Sequence, residues 1–434
     1  MKINLNNRSS FWNIKSKKNY TNDTLCILND NFKINILLIP KCASSSIRNI
    51  IDYREKLFSE LNDVEKEYTK ICFVRPVEER FYSGLNTTIY KRNSIRTTLI
   101  LDCIKQNNKD KLIEFIINNN DPHTTSINIL LNNIDVDHIY KLSILKNLDN
   151  KNKSIDDKDN YLSFIKNMQL LKNEKIKKYY SNDYHIYTKS TSYVTPTVNK
   201  LFNNKLTIQK FLFILTPANC GSSVISSLLN SSINTTFSKN KKYEGILNIK
   251  PQPKITLRKN WYNLNFQPNY KEFLNIDWED NLIKCDKYPP YMIRAKEIEK
   301  YFSNLGEVYF ICSERHPFSC KHRQVDYNLR INFLKKNLRE LKNVFFLRFE
   351  DLVENYDNEI LRLLNFLPDL LELDRKKVKT SHSSQGNTKD IFDSNNYNKS
   401  NQLLSKFNTK YMKSLGYNTK EPFIENFDIT NLHF

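Results

Sequence analysis

In the stretch INILLIPKCASSSIRNIIDYR, residues 34–54, an apolar run ends at Pro40 and is followed by Lys41, Cys42, Ala43 and the serines Ser44, Ser45 and Ser46. A helix that begins here would offer unpaired N–H groups and the positive end of its dipole, a natural seat for an anion. Small hydroxyls add donors without blocking that seat, and a lysine adds a point charge. The loop is therefore suited to a phosphate or sulfate group. A plain capped turn, with Ser44 or Ser45 as the N-cap residue, is the competing reading, and the loop alone does not separate the two. The outline recurs in FLFILTPANCGSSVISSLLNSS, residues 211–232, with Asn219, Cys220, Gly221, Ser222 and Ser223 in the loop. Neither copy has the G-x-x-x-x-G-K-[ST] pattern of a nucleotide-triphosphate loop, which disfavours standard ATP hydrolysis.

After the next apolar run comes FVRPVEERFYSGL, with Arg75 at the strand end and Ser83 eight residues later. A strand-end arginine and a helix serine can share a second phosphate, one by charge and one by hydroxyl donation. Here the sequence resembles the sulfotransferase superfamily, whose donor is 3′-phosphoadenosine-5′-phosphosulfate (PAPS). In that family a P-K-x-x-x-[ST]-S loop holds the 5′-phosphosulfate and an R-x-P-x-x-R-x-x-S segment holds the 3′-phosphate. The matching residues are Pro40, Lys41, Ser44, Ser45 and Ser46, then Arg75, Pro76, Arg80 and Ser83. Ala43 and Ser44 stand where glycines are frequent, as in loops of the carbohydrate 2-O-sulfotransferases.

Further along, DPHTTSINILL resembles the D-P-H segment of the carbohydrate-type enzymes, and YYSNDYHIY their closing Y-x-x-D-[FY] helix, so the resemblance spans about residues 33–190. It implies His123 as the general base for an acceptor hydroxyl, since imidazole titrates near neutral pH. His185, in the closing helix, is expected to be structural. The second half, over about residues 209–418, resembles another, bacterial-type branch of the superfamily. There KYEGI supplies Glu244, CDKYPPYMIR supplies Lys287, CSERHPF supplies Arg315, and FLRFEDLVEN and KYMKSLGY resemble a late strand and the terminal helix. Two departures stand out: Ala218 or Asn219 replaces the usual basic loop residue, and the position eight beyond Arg315 is Arg323 rather than serine. Arg323 could still meet the 3′-phosphate there, the alternative being a second site that is weakened or degenerate. Glu244 is a candidate base there or an exposed ion-pair partner.

The elements that must position these residues are short β-rich runs alternating with helical patterns: INILLIP, KICFV and IYKLSIL in the first half, KFLFILTP, EVYFICS and NVFFLRFED in the second. Helices are expected from about Ser45 and from about Val77. Such alternation predicts α/β architecture with mostly parallel sheets flanked by helices. The expected fold is two P-loop-like, three-layer domains, at residues 1–195 and 208–434, joined by a linker at 196–207 where proline- and asparagine-rich sequence interrupts the pattern. Polar stretches at 148–160 and 380–400 are expected to be loops.

Length supports the division, because 434 residues exceed what one core usually organises. The net charge of +20 favours anionic partners, although abundant Asn, Lys and Ile beside six glycines also suit an AT-rich coding sequence. No zinc finger, RNP-like strand or helix-turn-helix pattern accompanies the charge, which argues against specific nucleic-acid binding. The eight cysteines form no CxxC pair or zinc-like cluster, and Cys26, Cys72, Cys285 and Cys312 lie in or beside apolar runs as buried thiols would. With no apolar stretch of signal-peptide or membrane-span length, a soluble protein of a reducing, cytoplasmic compartment is expected. The resemblance implies sulfuryl transfer from PAPS, without a metal, to a hydroxyl-bearing acceptor, most naturally a carbohydrate. The other readings are a non-catalytic glycan- or nucleotide-binding protein on the same fold, and another nucleotide-dependent phosphotransferase.

Overall fold

A computed structural model describes residues 24–42, 47–48, 51, 53–90, 95–118, 124–131, 134–145, 165–217, 220–237, 245, 247, 266–276, 278–316, 327–377 and 409–417. The expected loops at 148–160 and 380–400 and the start of the helix expected at Ser45 lie outside them. The chain forms two compact units, one of residues up to Tyr193 with Thr197–Thr207, the other of Val194–Pro196 with the residues from Ile208 onward. Residues 196–207, expected as a linker, include the helix Pro196–Leu201, and Phe202 after it is buried edge-on against Phe73 with ring centroids 5.9 Å apart.

The first unit is built on five strands, β1 (Leu25–Asn29), β2 (Ile34–Leu37), β3 (Arg54–Leu57), β4 (Thr69–Val74) and β5 (His138–Lys141), in the order β3-β1-β2-β4-β5. β2, β4 and β5 pair in parallel, as the alternation of runs predicts, whereas β1 is antiparallel to both β2 and β3. The hairpin arises because Asp30–Lys33 is a short turn: the Asn29 side chain accepts from the Phe32 amide at 3.0 Å, and Lys33 takes a left-handed φ of 52°. β2 and the inner part of β4 are buried on both faces, the signature of a sheet covered on each side. One face packs Cys26, Leu28, Leu37, Cys72 and Val74 against Leu61, Ile127 and Leu131, and the opposite face carries the Phe73–Phe202 contact. A second apolar cluster joins Phe81 and Leu85 of the helix Val77–Tyr90 to the helices Ile95–Lys105 and Lys109–Asn118.

The second unit carries β6 (Lys210–Leu215), β7 (Thr235–Phe237), β8 (Ile283–Lys287), β9 (Glu307–Glu314) and β10 (Val344–Arg348), all parallel, in the order β10-β9-β6-β8-β7. Phe211, Phe213, Val308, Phe310 and Phe346 pack on one face against Tyr291, Ile298 and Phe302 of the helix Tyr291–Phe302. On the other face Tyr309 and Phe345 meet Phe366, which ends the helix Tyr356–Phe366. Both units are thus sheets flanked by helices. The chain leaves β6 toward β7 and β8 on one side, then crosses to β9 and β10 on the other. In open α/β sheets the crevice at such a reversal, beyond the carboxyl ends of the strands, is where ligands bind.

Candidate functional site

In the first unit β2 and β4 are parallel neighbours, so the loop after Leu37 and the strand end at Arg75 leave the sheet at the same edge. The loop opens with a turn closed by the Cys42 amide donating to the Ile39 carbonyl at 3.0 Å. Pro40 occupies its second position and Lys41 its third, with φ of 66°, which is the type II pattern in which the third residue is normally glycine. A lysine there costs about 1–2 kcal/mol of backbone strain, and such strain concentrates where a side chain has work to do. The Cys42 thiol is buried, and burial pushes its pKa up. The guanidinium groups of Arg80 and Arg75 and a hydrogen bond from the Arg75 backbone act the other way, which puts positive charge beside the loop. The Arg75 Nε is buried with no hydrogen-bond partner among the described residues. An unpaired buried donor costs about 1–3 kcal/mol, and a bound oxyanion would satisfy it. Ser83 lies in the second turn of the helix Val77–Tyr90, half-buried. Ala43, Ser44, Ser45, Ser46 and His123 lie outside the described residues.

Arg80, matched above to the phosphate-holding segment, serves the scaffold instead. It is 1% exposed and turned inward, with Nη2 donating to the Thr125 carbonyl at 2.6 Å and Nε to the Pro40 carbonyl at 3.3 Å. Its Nη1 lies 3.6 Å from Oδ2 of the equally buried Asp183. That carboxylate, at the start of the helix Ser181–Lys189, also accepts from Ser126 Oγ at 2.5 Å and from the Ile127 amide at 2.9 Å. Burial pushes the Asp183 pKa up while these donors and Arg80 oppose the rise. The Tyr180 hydroxyl donates to the Thr124 carbonyl. One arginine therefore ties the Pro40 turn to residues 124–127 and to the closing helix.

The second unit gathers a comparable set at the ends of β6, β8, β9 and β10. Gly221, with φ of 88°, precedes the helix Ser222–Leu229. Cys220 is fully buried: its thiol donates to Glu314 Oε1 at 3.2 Å, and its carbonyl accepts from Ser313 Oγ at 3.1 Å. Ser313 is in turn 2.9 Å from Thr216 Oγ1, which locks the loop to β9. Lys287, at the end of β8 and only 5% exposed, donates from Nζ to Ser223 Oγ at 2.9 Å, so two candidates far apart in sequence meet. Arg315, just past β9, holds its guanidinium 4.8 Å over the Phe349 ring. Asn219, Glu244 and Arg323 lie outside the described residues. Residues that the sequence reading overlooked include Glu314, Phe349 and the pair Asp286–Tyr291, in which the Tyr291 hydroxyl donates to the buried Asp286 carboxylate and accepts from the Leu247 amide at 2.9 Å. For Glu314 the available signal was its place before Arg315 in CSERHPF. For the others the contact is made only by folding.

Fold and strand-end chemistry define an α/β protein that, in each of its two units, collects arginine and lysine beside a strand-to-helix loop. Neither a protein-family model nor a curated protein matches the sequence. Among solved structures the chain is similar to the sulfotransferase domain of the olefin synthase from Synechococcus PCC 7002, at 14% identity and a TM-score of 0.27, over 41% of this chain and 78% of that one. It is also similar to a sulfotransferase from Alicyclobacillus acidocaldarius, at 12% identity and a TM-score of 0.31, over 48% of this chain and 96% of that one.

Proposed function

We propose that the protein is a sulfotransferase that moves a sulfuryl group from PAPS to an acceptor hydroxyl, with a carbohydrate as the acceptor class. The observation that carries this reading is the shared sheet edge: the strained Lys41 turn and Arg75 emerge from adjacent parallel strands, and the buried Arg75 Nε there has no acceptor among the described residues. Two basic groups at one edge suit a ligand with anionic groups at two positions, which fits the residue motifs better than a single phosphate does. In transfer, the acceptor oxygen forms a bond to sulfur as the sulfur–oxygen bond to the donor phosphate breaks, and the acceptor proton leaves to a base. Lys41 would neutralise the charge growing on the departing oxygen, Arg75 and Ser83 would hold the 3′-phosphate, and His123 would take the proton.

In the second unit Lys287 is close enough to the loop, through Ser223, to supply the cation that Asn219 does not. The experiment is transfer of label from PAPS to a panel of glycans and small alcohols by the full chain. Lys41→Ala should abolish transfer by the first unit, with the fold retained by circular dichroism; unchanged turnover would refute the assignment. A thermal shift with adenosine 3′,5′-bisphosphate but no transfer to any acceptor would favour a binding protein.

A further inference from the structure

Phe349 is contacted from two directions by residues of the second candidate site. A Cβ built on Gly221 would lie 2.2 Å from Phe349 Cδ2 and 2.7 Å from Cε2, so the ring sits directly on the glycine that opens the helix Ser222–Leu229. On the same ring rests the Arg315 guanidinium, at 4.8 Å. The ring has little freedom to move, because the residues on either side of it are tied down. Arg348 is held by Asp351, with Nη2 2.9 Å from Oδ1, and donates to the Leu415 carbonyl at 3.0 Å. Glu350 accepts from the His316 amide at 2.9 Å and from the Tyr417 hydroxyl at 3.2 Å. A cation over a ring is held by the ring's charge distribution, and that contact does not itself consume an N–H donor as a bidentate ion pair does.

We propose that Phe349 is a positioning residue: wedged between Gly221 and Arg315, its ring sets the separation and orientation of the loop amides and the arginine that together grip a nucleotide with two anionic groups. The inference rests on the nucleotide-binding reading above. Its test is calorimetric titration of the full chain with adenosine 3′,5′-bisphosphate, in a background carrying Arg75→Ala so that the second unit is read alone. Phe349→Leu should weaken binding about tenfold, whereas Phe349→Tyr, which keeps the ring face, should stay within about twofold. Arg315→Lys, which keeps charge but loses the flat face, should also lose about tenfold and should not add to Phe349→Leu in the double variant. Gly221→Ala should abolish binding, and adding Phe349→Leu should recover part of it by making room for the methyl group.

Equal affinity of Phe349→Leu and its parent, or full additivity with Arg315→Lys, overturns the proposal. Should Phe349→Leu fail to fold, Arg315→Lys decides by itself, since unchanged affinity there removes any need for the stack. If the parent does not bind the nucleotide while the unsubstituted chain does, the wedge has no ligand to serve and is overturned with the second site, and the first unit's assignment stands. Absence of binding by the unsubstituted chain overturns both.

Discussion

A lysine in the left-handed region is a conflict between backbone and side chain, and Lys41 displays it at the third position of the Pro40 turn. Lys41→Gly should therefore stabilise the first unit by about 0.5 kcal/mol, the relief of strain being offset in part by the greater freedom of an unfolded glycine. The same substitution should eliminate transfer, so a raised urea midpoint with lost activity is the expected pairing, and a lowered midpoint would contradict the strain argument. Residue types singled out Lys41, Arg75 and Ser83 as candidates because each follows an apolar run at a recognisable spacing. They misled at Arg80: arginine is almost never fully buried, and the carboxylate that allows it, Asp183, is remote in sequence. Removing one partner of a buried pair leaves a stranded charge, so Asp183→Ala should cost about 3–5 kcal/mol in chemical denaturation of the first unit.

Elements were legible where the apolar pattern was strong. β2, β4, β6, β9 and β10 each follow from a short run rich in Ile, Val, Leu and Phe, and the parallel pairing follows from the helices between them. β3 was hidden, since Arg54, Glu55, Lys56 and Leu57 carry no alternation, and its place is secured by ions rather than by burial. Glu65, in the helix Asp63–Lys66, bonds Lys56 Nζ at 2.8 Å and Arg54 Nη2 at 3.1 Å while the Asn62 amide donates to it at 3.0 Å. The Lys56 hydrogen bond first, then those from Asn62 and Arg54, hold the Glu65 carboxyl below its ordinary 4.5. Because the folded-state value is depressed, this stabilisation is present above 4.5 and is lost as pH falls through the lower folded value. The urea midpoint of the first unit should drop on acidification from neutrality to about pH 3, and Glu65→Gln should flatten that dependence. An unchanged profile in the variant would show that other carboxylates dominate.

At the scale of the whole molecule, two units with basic strand ends predict two nucleotide sites per chain. Titration with adenosine 3′,5′-bisphosphate should give a stoichiometry of two, reduced to one by Arg75→Ala and likewise by Arg315→Ala; one site in the unsubstituted chain would mean that the second loop has lost the function. With a net charge of +20, affinity should also fall as salt rises. Composition had indicated an anionic partner, but charge totals could not say where the basic groups gather. The Lys287–Ser223 and Arg315–Phe349 contacts are invisible in one dimension because each joins separate strand ends.

Among the described residues the order β3-β1-β2-β4-β5 leaves no strand paired to the outer side of β3, whose exposed-to-half-buried residues are Arg54, Glu55, Lys56 and Leu57. A foreign strand adding there would have to desolvate alternating charges, so the border resists templated growth. Replacing Arg54 and Lys56 by valine and threonine should turn that border into a nucleus for fibrils, visible as thioflavin-positive material during refolding, while the parent refolds clear.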